Sequence, residues 1–112
     1  MSTLLLNYAG TGVPMHTAQA LEDYLFRGYQ PGKFLTSVLC NDLCGAVWSS
    51  DHVNREAIVD IVKFLGHGIP SAAWGHQLAV GRWLEDIDGI RTEYTKHIEQ
   101  KRMWETLQEQ HQ

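Results

Sequence analysis

The chain has 112 residues, of which 44% are hydrophobic and 20% are charged, and it carries a net charge of −4. This composition is typical of one compact globular domain and excludes a disordered chain. The nine Lys and Arg residues are scattered, with no run longer than Lys101–Arg102, which argues against a DNA-binding protein.

Two further observations concern the compartment. No apolar run approaches the ~20 residues that cross a membrane, and the first residues lack the basic region of a signal peptide. Cys40 and Cys44 lie one helical turn apart, which is poor geometry for a disulfide within a helix. We therefore expect a cytoplasmic protein that neither spans a membrane nor depends on disulfides.

The first elements are set by glycine and proline. Residues 1–14 are interpreted as a lead-in, because Gly10, Gly12 and Pro14 interrupt any long element. A first helix is predicted after Pro14 and is expected to stop at Gly28. Its apolar stripe consists of Ala18, Leu21 and Leu25.

A second helix is predicted from about Pro31 to Trp48. At about 100° per residue, one broad arc is apolar and contains Phe34, Leu35, Val38, Leu39, Leu43, Ala46 and Val47. Asp42 falls in the middle of that arc, so we expect a buried carboxylate that is paired or hydrogen-bonded. The opposite face carries Cys40, Cys44 and Trp48. A helix that is apolar on both sides is either central in its domain or partly buried by another subunit, and in so short a chain we favour a homo-oligomer.

Three more segments follow in the sequence. A third helix is predicted after a polar turn in which Ser49, Ser50, Asp51 or Asn54 acts as the cap, and it should end at residues 66–70. A fourth helix contains Trp83 as a core residue. From Glu85 onward the chain holds seven acidic and four basic residues, and we predict a last, thinly amphipathic helix that needs a partner surface. Its apolar residues are Ile90, Tyr94, Ile98 and Trp104.

These elements define the expected architecture. Apolar and polar residues never alternate strictly over five positions, so no strand is predicted. We expect an all-α fold, a compact bundle of four to five helices with a charged C-terminal helix. Residues 15–84 are expected to form the helical core domain, and residues 85–112 to form the C-terminal helix that binds a second copy or a partner.

Catalytic motifs are scarce. The sequence contains no metalloprotease, phosphate-loop or nucleophile-elbow motif, and its six histidines show no metal-ligand spacing. We therefore expect a protein without catalysis, cofactor or metal. One alternative is a small hydrolase that uses Asp42 or Asp51 with His52 as acid and base. Free cysteines are common core residues, which favours a packing role for Cys40 and Cys44 over a zinc site.

The best candidate site is a polar cluster near aromatic residues. Small-ligand sites are mainly apolar with a few well-placed polar groups. Basic residues flank the same turns and suit phosphate. The candidate ligand-binding residues are Arg27, Tyr29, Lys33, Phe34, Asn41, Asp42, His52, Asn54, Arg55 and Trp74. The alternative is that Asp42 accepts a structural hydrogen bond, that Asp51 and Asn54 act as caps, and that the basic side chains are solvated.

A set of motifs resembles a known family. They are Gly28-x-x-Pro31-Gly32-x-Phe34-Leu35, Val38-Leu39-x-Asn41-Asp42-Leu43, Asp51-His52-x-Asn54 and Pro70-x-x-x-Trp74-Gly75. Over about residues 20–84 the chain resembles small, mostly uncharacterised domains encoded by bacteriophages and prophages. Cys44 and Trp48 depart from that pattern. The resemblance carries no known reaction, but it implies a phage protein that acts in the host cytoplasm.

Two functions follow from that setting. By analogy with phage nucleotide sponges, the chain is expected to be a homo-oligomer that sequesters a cyclic oligonucleotide or cyclic ADP-ribose-like immune signal without catalysis. Arg27, Lys33 and Arg55 would then meet phosphates, and Tyr29 and Trp74 would stack on base or ribose. The alternative is a phage protein that binds and inhibits a host protein through its acidic, Trp-containing C-terminal helix.

Overall fold

The structure, a computed structural model, describes Tyr8 and residues 10–110, with side chains described as far as residue 107. Over these residues the chain forms seven α-helices and no strand, which confirms the all-α prediction there. The helices are α1 (Met15–Arg27), α2 (Lys33–Leu39), α3 (Leu43–Ser49), α4 (His52–Glu56), α5 (Ile58–Gly68), α6 (Gln77–Leu84) and α7 (Ile90–Gln110). Short 3-10 turns, Ser71–Ala73 and Ile87–Gly89, lie before α6 and α7. Most of the predicted lead-in, namely residues 1–7 and 9, lies outside the described residues.

The first helix has the predicted bounds. Pro14 precedes α1 in an extended conformation, and α1 ends at Gly28, whose φ of 70° is the left-handed value of a helix stop. The N–H of Gly28 donates to the Tyr24 carbonyl, and the N–H of Tyr29 donates to that of Asp23, each at 3.2 Å. These bonds satisfy carbonyls that the end of a helix leaves without partners.

The predicted second helix is wrong as one continuous element, because it is divided at residues 40–42. Asn41 adopts a φ of 63°, which asparagine tolerates better than most residues. Asp42 then caps α3, and its Oδ1 accepts a hydrogen bond from the Gly45 N–H at 3.0 Å. Asp42 is consequently exposed, so the expectation of a buried carboxylate is also wrong.

The predicted third helix is likewise two helices. Asp51 is the cap, and its Oδ1 accepts from the Asn54 N–H at 2.7 Å. The helical conformation lapses at Ala57, where φ is −101°, and resumes in α5. These two divisions explain why the helix count exceeds the predicted four or five.

Two buried aromatic residues link the helices of the core. Tyr24 and Trp83 are fully buried, and Trp83 is the core residue that the sequence predicts. The Tyr24 hydroxyl donates to the Ala73 carbonyl at 2.6 Å, and Trp83 Nε1 donates to the Leu25 carbonyl at 3.2 Å. Both ring systems therefore bury apolar area while their polar atoms remain paired.

The start of α7 is fixed by Asp86. Its Oδ1 accepts from the N–H groups of Arg91 and Thr92 at 2.7 and 3.1 Å, and its Oδ2 accepts from the Thr92 hydroxyl. The hydroxyl and then the N–H of Thr92 hold the pKa of the Asp86 carboxyl below its usual value. The aromatic ring of Tyr94 stacks on Phe26 at 5.8 Å and meets Trp83 edge-on at 5.5 Å, which attaches this end of α7 to the core.

The far half of α7 leaves the body of the protein. Ile98 is half-buried, whereas every residue from Glu99 to Leu107 is exposed. The 21 residues of α7 span about 32 Å at the usual helical rise. The molecule accordingly measures 49 Å along its longest axis and 20 Å along its shortest.

Gly66 offers a test of helix α5. A Cβ added there meets no atom within 4 Å, and the backbone is an ordinary helix interior. Gly66→Ala should therefore raise the free energy of unfolding by about 0.5–1 kcal/mol, since glycine loses more backbone entropy on folding. Thermal unfolding measures the change. Gly10→Ala is the matched control, because Gly10 also faces open space but has a φ of 77° and should destabilise instead. A destabilised Gly66→Ala would contradict the helix.

Candidate functional site

The predicted phosphate-binding residues lie apart and two of them have partners. Arg27 Nη1 donates to Asp23 Oδ1 at 2.5 Å, one turn earlier on α1. Arg55 donates to the hydroxyl and carbonyl oxygens of Ser50 at 3.3 and 3.4 Å. Lys33 is exposed at the first position of α2. These cations hold local structure or face solvent, and none of the three lines the two grooves described below.

Asn54 joins α4 to α1. It is buried, and its Oδ1 accepts from the Thr17 hydroxyl at 2.5 Å. Its Nδ2 lies 3.3 Å from His16 Nε2, which in turn lies 3.8 Å from Asp51 Oδ2. The cluster around the predicted residue Asn54 is thus an internal link between helices. The neighbouring His52 is exposed and pairs with Glu56 at 3.2 Å.

The predicted aromatic residues also separate. Phe34 is buried in the core, Tyr29 is exposed in the turn before α2, and Trp74 is half-buried against the core. The loop that holds Trp74 is fixed by the Gly75 N–H, which donates to the Leu39 carbonyl at 2.7 Å. Asn41 is exposed at the break between α2 and α3.

A groove of about 560 Å³ lies between α2 and α6. We call it the Asp42 groove, because Asp42 is the single charged residue among the described ones that line it and the one member of the predicted set there. Burial, followed by the Asp42 charge, raises the pKa of the Cys40 thiol in the same groove. Since no Lys, Arg or His that the structure describes lines this groove, it is a poor site for phosphate.

A second groove of about 660 Å³ lies where α6, the turn before α7 and α7 meet. None of the ten predicted residues lines it. Its charged lining groups are Arg82, Asp88 and Glu93, with His97 beside them. Opposite charges share this surface, so it has no single sign that would attract an anion.

Helix α3 is barely covered. Ala46 is its one buried residue, and Trp48 is 87% exposed. The sequence predicts a face of Cys40, Cys44 and Trp48 that another subunit covers; Cys44 and Trp48 are exposed, whereas Cys40 is partly buried against the core. Leu43 and Val47 are exposed as well, contrary to the expectation that they join the core. Because the helix is divided at Asn41, α3 points in a different direction from α2. Leu43 and Val47 therefore do not continue the apolar face of α2.

A second apolar surface lies on the exposed half of α7. Met103, Trp104 and Leu107 are 65%, 61% and 48% exposed. At 100° per residue they share the side of α7 opposite to Ile98, which packs toward the body. We call these three residues the anchor face. Sequence reasoning found Trp104 but missed Met103 and Leu107, although their spacing of four residues was visible.

The described residues, 8 and 10–110, show neither a metal site nor a helix that could cross a membrane. No group of three or more His, Cys, Asp or Glu side chains in that part of the chain could hold a metal ion. No helix in the same residues combines the length and the apolar character that crossing a membrane requires. No protein-family model, curated protein or solved structure matches the chain. What the protein binds must therefore be inferred from its own surfaces.

Proposed function

We propose that the protein is a non-catalytic binding protein that docks the anchor face of α7 into an apolar groove of a partner protein. The observation that carries the proposal is the exposure of Trp104 on a helix that has left the body. An exposed Trp is a frequent centre of binding energy at interfaces.

The spacing of the anchor face supports a groove on the partner. Met103 and Leu107 are four residues apart with Trp104 between them, the spacing by which an amphipathic helix enters an apolar groove. Three side chains cover only part of the roughly 800 Å² that each partner contributes to a standard interface. A groove that wraps the helix adds contact area on its flanks, whereas a second exposed helix laid alongside would not.

Charge has a small role at this surface. From Glu99 to Leu107 two acidic and two basic residues balance, so this stretch carries no net charge even though the C-terminal region is acidic. Apolar contact rather than attraction between opposite charges should therefore dominate binding, and the affinity should change little with salt. The resemblance to phage domains extends the proposal to a bacterial host protein that is inhibited by this contact.

Sequestration of a nucleotide-type signal stays a prediction. Its expected cations Arg27 and Arg55 have partners within the chain, and none of the described residues that line the Asp42 groove is basic. The geometry therefore gives more support to the protein-binding function.

Trp104→Ala tests the proposed function. We expect it to weaken capture of the partner by about 30-fold or more, the effect of losing a dominant interface residue. The full-length protein is immobilised, exposed to bacterial host lysate, and the retained proteins are quantified by mass spectrometry. Trp48→Ala is the matched control, because it removes an exposed Trp from a different helix.

The two variants separate the outcomes. A protein that wild type and Trp48→Ala retain, and that Trp104→Ala loses, supports the proposal. If nothing retained depends on Trp104, the proposal is wrong. Both variants should keep the melting temperature of the wild type, since neither side chain is in the core.

A further inference from the structure

The Asp42 groove has the form of a small-ligand site. Its volume of about 560 Å³ falls in the range of such sites, and it opens beside the break between α2 and α3. None of its lining residues belongs to α7, so it is separate from the anchor face. Its function is therefore independent of the proposed docking of α7.

The charge in this groove is unbalanced. Asp42 Oδ1 accepts one hydrogen bond, from the Gly45 N–H at 3.0 Å, in its role as the cap of α3. Among the described residues, no Lys, Arg or His forms an ion pair with Asp42. The Asp42 carboxylate can therefore attract and pair with a cation from solution.

The other lining residues provide hydrogen-bond acceptors and apolar surface, which suit a ligand that has a hydrogen-bond donor on an apolar chain. Thr36 and Ser37 supply hydroxyl oxygens, and Gln30 and Gln77 supply amide oxygens. Ammonium and guanidinium groups are donors only, so acceptors are what they require. Val80 and Leu84 of α6 provide apolar surface along the same groove.

We propose that the Asp42 groove binds an alkyl chain that ends in an ammonium or guanidinium group. The cationic end pairs with the Asp42 carboxylate, and the alkyl part lies along Val80 and Leu84. Charge-assisted hydrogen bonds of this kind are the stronger ones in proteins. The same chemistry is offered by a free amine and by a Lys or Arg side chain of a peptide, and the test separates these sources.

Two variants of the groove are chosen to preserve the fold. Asp42→Asn removes the charge but keeps a cap, because Asn is as good as Asp at that position. Gly81 lines the groove, and a Cβ added there meets no atom within 4 Å, so Gly81→Leu places a side chain in the groove without a clash at Cβ. Leu also favours the helix more than Gly does. Asp51→Asn is the matched control, because Asp51 also caps a helix but does not line the groove.

The measurement is an NMR titration of the full-length protein. Agmatine represents a free cation, acetyl-Gly-Arg-Gly-amide represents a peptide side chain, and butanol and AMP are the neutral and anionic controls. The amide signal of Gly45 should shift on binding, because this group donates to Asp42. We expect agmatine or the peptide to bind wild type and Asp51→Asn, and to bind Asp42→Asn and Gly81→Leu at least about tenfold more weakly.

The outcomes are distinct. Tighter binding of agmatine assigns the site to a small molecule, and tighter binding of the peptide assigns it to a protein side chain. The proposal is overturned if neither cation binds wild type, if AMP binds better, or if Asp51→Asn weakens binding as much as Asp42→Asn. None of these results depends on Trp104, so this proposal and the proposed function can fail separately.

Discussion

Trp83→Ala is expected to lower the free energy of unfolding by about 3–5 kcal/mol, the usual cost of removing a buried aromatic side chain. The Trp83 side chain is fully buried, its Nε1 donates to the Leu25 carbonyl at 3.2 Å, and its ring meets Tyr94 at 5.5 Å. Removing it leaves a cavity and an unpaired carbonyl where α1, α6 and α7 meet. Because small domains have only about 5–15 kcal/mol of stability, this variant should lose a large share of its free energy of unfolding.

Urea denaturation followed by circular dichroism measures the loss. Trp104→Ala serves as the control, because it makes the same chemical change at an exposed position and should stay within about 0.5 kcal/mol of the wild type. Equal stability of the two variants would contradict the packing of α1, α6 and α7 around Trp83.

Gly28→Ala should lower the free energy of unfolding by about 2–4 kcal/mol. Gly28 has a φ of 70°, and a Cβ there would overlap the Arg91 guanidinium. Arg91 Nη1 donates to the carbonyls of Trp83 and Leu84 at 2.9 and 2.8 Å, so it holds the end of α6 against the start of α7. The substitution therefore combines a left-handed backbone with the loss of charge-assisted hydrogen bonds.

The Gly10→Ala variant separates these two contributions. Gly10 has a similar φ of 77°, but a Cβ there meets no atom within 4 Å. Gly10→Ala should thus show only the backbone cost, and Gly28→Ala should be less stable than Gly10→Ala in the same urea titration. If Gly28→Ala costs no more than Gly10→Ala, Arg91 does not occupy the space beside Gly28.

The sequence predicted the elements whose signals are local. Pro14 and Gly28 bound the first helix, and Asp51, one of the four cap candidates, caps a helix, because each acts through its own backbone or nearest neighbours. The prediction for Asp42 was wrong because apolar periodicity was followed across residues 31–48. Asn41 and Asp42 favour left-handed and capping conformations, and this local preference outweighs the continuous apolar arc.

The candidate site was harder to predict, since its residues meet through tertiary contacts. Asn54 binds Thr17 and lies beside His16, more than 35 residues away in sequence. The Asp42 groove needs α6, whose position against α2 has no local signal. The anchor face needed no such contact. Its spacing was visible in the sequence, but the exposure that makes it a candidate for binding required the path of α7 out of the body.

Binding through the anchor face requires that this side of α7, and not the opposite one, meets the partner. A photo-crosslinking benzoylphenylalanine is placed in the full-length protein at Gln100, which shares the side of the anchor face, or at Glu105, which lies on the other side of the same exposed stretch. After irradiation in bacterial host lysate, the predicted result is an adduct from position 100 that Trp104→Ala abolishes, with little or none from position 105. Adducts that form from position 105 instead, or that persist in Trp104→Ala, would contradict the assignment of binding to the anchor face.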